Sequence, residues 1–132
     1  MSARFVFLLA AAAGLLFVSA PLSAHHSFAA EYDENKPVTL TGSVTKLEWM
    51  NPHARFYVDV KDDKGKVVNW EFELGNLNAL IRRGWTRTSL KPGDMITVEG
   101  YLAKDGAPLV NTKSVTLSTG KKVFAGSSLD NK

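Results

Sequence analysis

Asn76-Leu77-Asn78-Ala79-Leu80-Ile81-Arg82-Arg83-Gly84 is the stretch where an alternating, strand-like rhythm gives way to helical spacing. Leu77, Leu80 and Ile81 are separated by the three- and four-residue steps that place side chains on one side of a helix. Asn76 offers a side-chain oxygen to the free N–H groups of the first turn. Arg82-Arg83 suit the partly negative C-terminal end, and Gly84 closes the helix. The helix is short, about two turns by its residue count. Its position decides the fold, because three strands are expected before it and two after it.

Upstream, residues 38–44 alternate, with Val38, Leu40 and Val44 on one face, whereas Leu47 and Trp49 fall on the opposite parity. A bulge near Thr45-Lys46 restores a single inward face, and Gly42 lets the strand bend. Asn51-Pro52 ends this strand. The second strand, over 54–60, turns Phe56, Val58 and Val60 inward. Asp62-Asp63-Lys64-Gly65-Lys66 forms a hairpin turn in which Gly65 takes a positive φ. In the third strand Val68, Trp70, Phe72 and Leu74 face in, and Asn69, Glu71 and Glu73 face out. Downstream, Trp85 plugs one end, residues 86–90 connect, and Lys91-Pro92-Gly93-Asp94 turns into a fourth strand with Ile96, Val98, Gly100 and Leu102 inward. Lys104-Asp105-Gly106 turns again. A fifth strand near 111–117 carries Val115 and Leu117 inward, and a short last strand is expected at Lys122-Val123-Phe124.

The order β-β-β-α-β-β is that of the OB-fold, a five-stranded Greek-key barrel, and an all-β domain with one short helix is expected over residues 37–125. The same elements can also form an open α+β sheet.

The chain of 132 residues begins with an apolar run over residues 5–18, followed by Ala20-Pro21-Leu22-Ser23-Ala24. The run is shorter than the roughly 20 apolar residues of a membrane-spanning helix, so residues 1–24 are expected to be a cleaved secretory signal. Cleavage after Ala24 is preferred to cleavage after Ala20, which leaves a terminal proline; an uncleaved anchor is the alternative. Residues 25–36 are expected to be an irregular N-terminal arm pinned by Phe28 and Tyr32, and residues 126–132 a flexible tail. The chain holds no cysteine, which removes disulfides, thiolate metal sites and lipid attachment through cysteine. A formal net charge of +3 gives no support for nucleic-acid binding.

Several motifs, in order, resemble one family: His-His-Ser-Phe-Ala-Ala-Glu-Tyr-Asp at 25–33, Lys-Pro-Val-Thr-Leu-Thr-Gly at 36–42, Glu48-Trp49-Met50-Asn51-Pro52-His53, Gly84-Trp85-Thr86-Arg87, and Leu90-Lys91-Pro92-Gly93-Asp94. Together they resemble the DUF6152 family of small exported bacterial proteins of unknown function. The resemblance covers essentially all of the chain after the signal. It implies export to the periplasm of a Gram-negative cell and carries no catalytic assignment.

No nucleophile elbow, phosphate-binding glycine loop or zinc-protease helix motif occurs. Glu71 and Glu73 can pair as an acid and a base, but on the outer face of a strand they are expected to be solvated. Arg55, Tyr57 and Arg87 outline a face able to hold an envelope protein or a glycan, as OB-folds bind ligands near their second and third strands. The three histidines give the sharper expectation. After cleavage at Ala24, His25 offers both a free α-amine and an imidazole. Either His26 or His53 can add a second imidazole, and Met50 a soft sulfur for Cu(I). Nitrogen ligation of this kind suits Cu(II) ahead of Ni(II) or Zn(II). The expected role is therefore a periplasmic binding protein with copper ligands at His25, His26 and His53. An envelope interaction module without metal is the alternative, and an enzyme ranks third.

Overall fold

The computed structural model describes residues 28–126. The segment expected to be a secretory signal, His25, His26 and the residues beyond 126 lie outside the described residues. Six strands are present: β1 (Tyr32–Glu48), β2 (Arg55–Lys61), β3 (Val67–Glu73), β4 (Met95–Ala103), β5 (Leu109–Leu117) and β6 (Lys122–Phe124). The helix α1 (Leu77–Arg82) falls between β3 and β4, where the spacing of Leu77, Leu80 and Ile81 put it. All six strands share one sheet in the order β3-β2-β1-β4-β5-β6, and β3 pairs additionally with β5. That additional pairing is parallel; the others are antiparallel. The sixth strand extends the five expected for the barrel, and it is the short piece anticipated at Lys122. Among the described residues no helix is long and apolar enough to cross a membrane.

The 17 residues of β1 serve two neighbours. Its first half pairs with β4, as in Val38↔Gly100, and its second with β2, as in Leu47↔Phe56. The changeover lies at Ser43, which pairs with both Met95 and Asp59, and at the preceding Gly42 an added Cβ would stand 2.2 Å from the carbonyl oxygen of Asp59. Only a residue without a side chain allows the strands to approach so closely. The register slips between Val44 and Lys46, which is the bulge that the parity of Val44 and Leu47 demanded. Val44 consequently lies in the core and Leu47 packs against it.

β1 begins at Tyr32, five positions before the expected start at Pro37, and residues 28–31 are helical. The arm expected to be irregular over 25–36 is therefore ordered from residue 28 onward. The polar run Asp33-Glu34-Asn35-Lys36 conceals this, because the ladder with β4 is interrupted between Tyr32 and Pro37. β5 likewise starts earlier than expected, at Leu109. A bulge opposite Glu99 and Gly100 lets Val110 and Val115, of opposite parity, both reach the core.

The main core gathers Val44, Phe56, Val58, Phe72, Leu74, Leu80, Trp85, Ile96, Val98, Val110 and Val115 among others. Phe56 and Phe72 stack at 5.0 Å between centroids. The helix is capped as its sequence requires: the Asn76 side chain accepts from the N–H of Ala79, and Gly84 follows with φ +89°. Its inward residue, Leu80, is fully buried, a contribution of about 2 kcal/mol. Trp85 is buried as a plug, and its indole donates to the carbonyl of Phe124 at 2.9 Å. A second, smaller cluster of Phe28, Tyr32 and Ala103, with Tyr101 and Leu109 against it, joins the N-terminal arm to the sheet.

Candidate functional site

Residues paired across a β-ladder project from the same face of the sheet. Arg55 pairs with Glu73, Glu73 with Asn111, and Asn111 with Tyr101. These four form one row across β2, β3, β5 and β4. Their chain neighbours Phe56, Phe72 and Val110 fill the core, so the row lies on the opposite, outer face.

An outer face carrying Arg and Glu is ordinarily solvated, but the arm covers part of this one. The Phe28 ring stacks on Tyr32 at 5.6 Å and meets Tyr101 edge-on at 6.0 Å. The main chain of the arm is tied down at Lys104, whose N–H donates to the carbonyl of Glu31 at 2.9 Å. The ammonium of Lys104 also donates to the carbonyl of Ala29. Under this roof the phenol of Tyr32 donates to Oε2 of Glu73 at 3.1 Å. Glu73 is thereby buried, contrary to the solvated position expected for an outward strand residue.

Glu73 stands at the centre of the arrangement. Arg55 bonds Oε1 of Glu71 through Nη1 at 2.7 Å and faces Oε2 of Glu73 through Nη2 at 3.7 Å. From the loop between β1 and β2, His53 directs Nδ1 to the carbonyl of Leu74 at 3.2 Å and toward Oε1 of Glu73 at 3.8 Å. Burial, and then the negative charge of Glu73, push the Tyr32 phenol well above the usual range. Burial and the same carboxylate also raise Glu31, against the opposing charge of Arg55. Beside Glu73, Oδ1 of Asn111 is buried without a hydrogen-bond partner, as is Oγ1 of Thr112.

The expected site residues divide accordingly. His53 and Arg55 meet at Glu73. His25 and His26 lie outside the described residues. Tyr57 points outward as expected, but its phenol donates to Glu48 at 3.3 Å and the Lys46 ammonium lies 5.5 Å from its ring centroid. Arg87 is exposed in a turn between α1 and β4, and among the described residues no hydrogen bond or ion pair joins it to Arg55 or Tyr57. The face outlined by Arg55, Tyr57 and Arg87 is thus not drawn together by contacts of its own. Among the described residues no group of three or more His, Cys, Asp or Glu could hold a metal. Tyr32 and Glu73 were not singled out by the sequence as a pair. The available signal was an aromatic pair, Phe28 and Tyr32, in an otherwise polar arm.

Searches of curated proteins and of solved structures gave no match. A model of a family of unknown function, DUF6152, matches residues 12–111, which include β1 to β4, α1, both partners of the Tyr32–Glu73 bond, and His53. The chain belongs to the DUF6152 family.

Proposed function

We propose that this is an exported, periplasmic binding protein built on an OB-type barrel, and that it takes up Cu(II) through His53 together with His25 and His26 of the processed N-terminus. The barrel reading draws on the circuit of pairings β1-β2-β3-β5-β4-β1, in which every strand has two neighbours and the helix follows the third. Export draws on the apolar run of residues 5–18 and the small residues after it.

The observation that carries copper binding is the orientation of His53. Its Nδ1 faces two acceptors, the Leu74 carbonyl and the Glu73 carboxylate, so the ring proton belongs there. The lone pair of Nε2 is then free on an imidazole whose side chain is 45% exposed. Metal-binding histidines are commonly held this way, by a carbonyl or carboxylate on the far nitrogen. The His25 amine and imidazole supply the remaining nitrogen donors, with His26 alongside. The competing face of Arg55 and Tyr57 is less suited to a protein or glycan partner, because both side chains are engaged by Glu71, Glu73 and Glu48.

Titration of the processed protein with Cu(II), read by calorimetry and electron paramagnetic resonance, should show one bound ion with a nitrogen-rich signature. His53→Ala should weaken it, and so should one extra residue ahead of His25. Unchanged binding in His53→Ala removes the loop from the site, and no binding by the wild type ends the copper reading. N-terminal sequencing of the protein from the periplasmic fraction tests export and the cut after Ala24.

A further inference from the structure

We infer that the groove holding Phe28 and Tyr32 also receives the same arm from a second copy of the chain, so that two molecules exchange arms in a two-fold dimer. The inference goes beyond the copper reading and does not depend on it.

The arm is a small anchor joined to the barrel by a loose link. The contacts that hold it lie far along the chain. Phe28 and Tyr32 pack with Ala103, Tyr101 and Leu109, Tyr32 donates to Glu73, and the Glu31 carbonyl accepts from the N–H of Lys104. The link, residues 33–36, has no partner in the ladder with β4, and Glu34, Asn35 and Lys36 are exposed. Tyr32 and Pro37 stand five positions apart, yet the residues they face, Ala103 and Tyr101, stand two apart. A regular antiparallel ladder keeps the two separations equal, so three residues of the link are surplus and loop out. Asp33 clasps this loop. Its Oδ1 accepts from the N–H of Asn35 at 3.0 Å, and its Oδ2 lies 3.9 Å from the Lys36 ammonium. Both contacts are open to solvent and therefore weak.

When the clasp opens, the five steps from Pro37 to Tyr32 reach about 16 Å, against the roughly 7 Å that the closed form spans. The link can then leave the sheet at Pro37 and carry the arm to a neighbour. A two-fold axis beside Pro37 brings the groove of each copy within that reach of the other. The groove of a second copy offers the arm the same Glu73, Tyr101, Ala103, Lys104 and Leu109, so every contact of the closed form is made again between chains. Exchange of an identical element costs little beyond bringing two molecules together, which makes the dimer depend on concentration.

Size-exclusion chromatography with light scattering, run on metal-free protein over a wide range of concentration, should show a dimer that grows with concentration. Labelled and unlabelled chains, unfolded together and refolded at high concentration, then report where the arm sits. Isotope-filtered NOEs between the Phe28 and Tyr101 rings should appear between chains in the dimer and within one chain in the monomer. Asp33→Ala opens the clasp and should raise the association constant about fivefold. Deleting residues 33–35 removes the surplus, lets Tyr32 meet Ala103 in an unbroken ladder, and leaves a link too short to reach a neighbour. That variant, with its fold checked by circular dichroism, should stay monomeric throughout. Monomer alone at every concentration in both the wild type and Asp33→Ala overturns the inference. So does a dimer whose Phe28–Tyr101 NOEs all arise within one chain, or a folded deletion variant that dimerises like the wild type.

Discussion

The Tyr32 phenol reaches the Glu73 carboxylate across 41 positions of sequence, and it does so on the outer face of the sheet, outside the main core. A hydrogen bond to a charged acceptor shielded from water is worth more than one in solvent. Tyr32→Phe should therefore lower stability by about 1–2 kcal/mol, measured by urea unfolding. Hydrogen exchange should quicken first at the Lys104 amide, which donates to Glu31 in the arm.

The same bond predicts the behaviour of the protein in alkali. Burial and Glu73 raise the folded-state phenol of Tyr32 above its ordinary value of 10. Its contribution is fully present below the unfolded value, and is lost as pH rises past about 10, where unfolded tyrosine ionises and the folded form does not. Absorbance at the tyrosinate band should show one of the three tyrosines ionising last, together with release of the arm. Tyr32→Phe should remove that late phase.

How far the sequence announced these features follows from the kind of physics behind each. Alternation and parity are local, so the bulge at Thr45, the inward face of β2 and the cap at Asn76 could all be read from neighbouring residues. The cover over Glu73 depends on an arm that returns from far along the chain, and no spacing rule near Glu73 reports it. Glu73 looked solvated because the residues that bury it, Phe28 and Tyr32, sit in a polar segment. The early start of β1 was hidden for the same reason. Four polar residues interrupt the ladder after Tyr32, and the pairing with β4 resumes at Pro37. His53 was identifiable as a rare residue type, but its hydrogen bond to Leu74 was not.

Gly42→Ala should be among the costliest single changes in the sheet. The new Cβ would lie 2.2 Å from the Asp59 oxygen and 2.8 Å from Cγ1 of Val58, and the nearer of these is main chain that cannot swing aside. Overpacking of this severity costs roughly 3 kcal/mol or more. The expected result is a lowered midpoint in thermal unfolding, with the loss shared between the β1–β2 and β1–β4 pairings.

Acid should act through Glu99 on β4. Hydrogen bonds from Lys122 at 2.6 Å and Ser114 at 2.6 Å hold its carboxyl below the usual range. Its contribution is present above the unfolded value and is lost as pH falls through the folded one. Lys122→Ala should move the Glu99 titration, followed by carbon chemical shift, back toward the ordinary carboxylate range. The effect on stability at neutral pH should be small, because the pair is exposed.

The divided allegiance of β1 also has a consequence for how the chain is made. Thr41 and Thr97 bond to each other from positions 56 apart. A polypeptide emerges N-terminus first, so the leading half of β1 waits for β4 while nearly the whole domain is synthesised. Throughout that interval its backbone donors and acceptors stand open to any other extended chain. Pairings this distant also form slowly once both partners exist. Yield at high expression should therefore be limited by association of nascent chains, and a holding chaperone that covers residues 32–43 should relieve that limit without altering the stability of the finished protein.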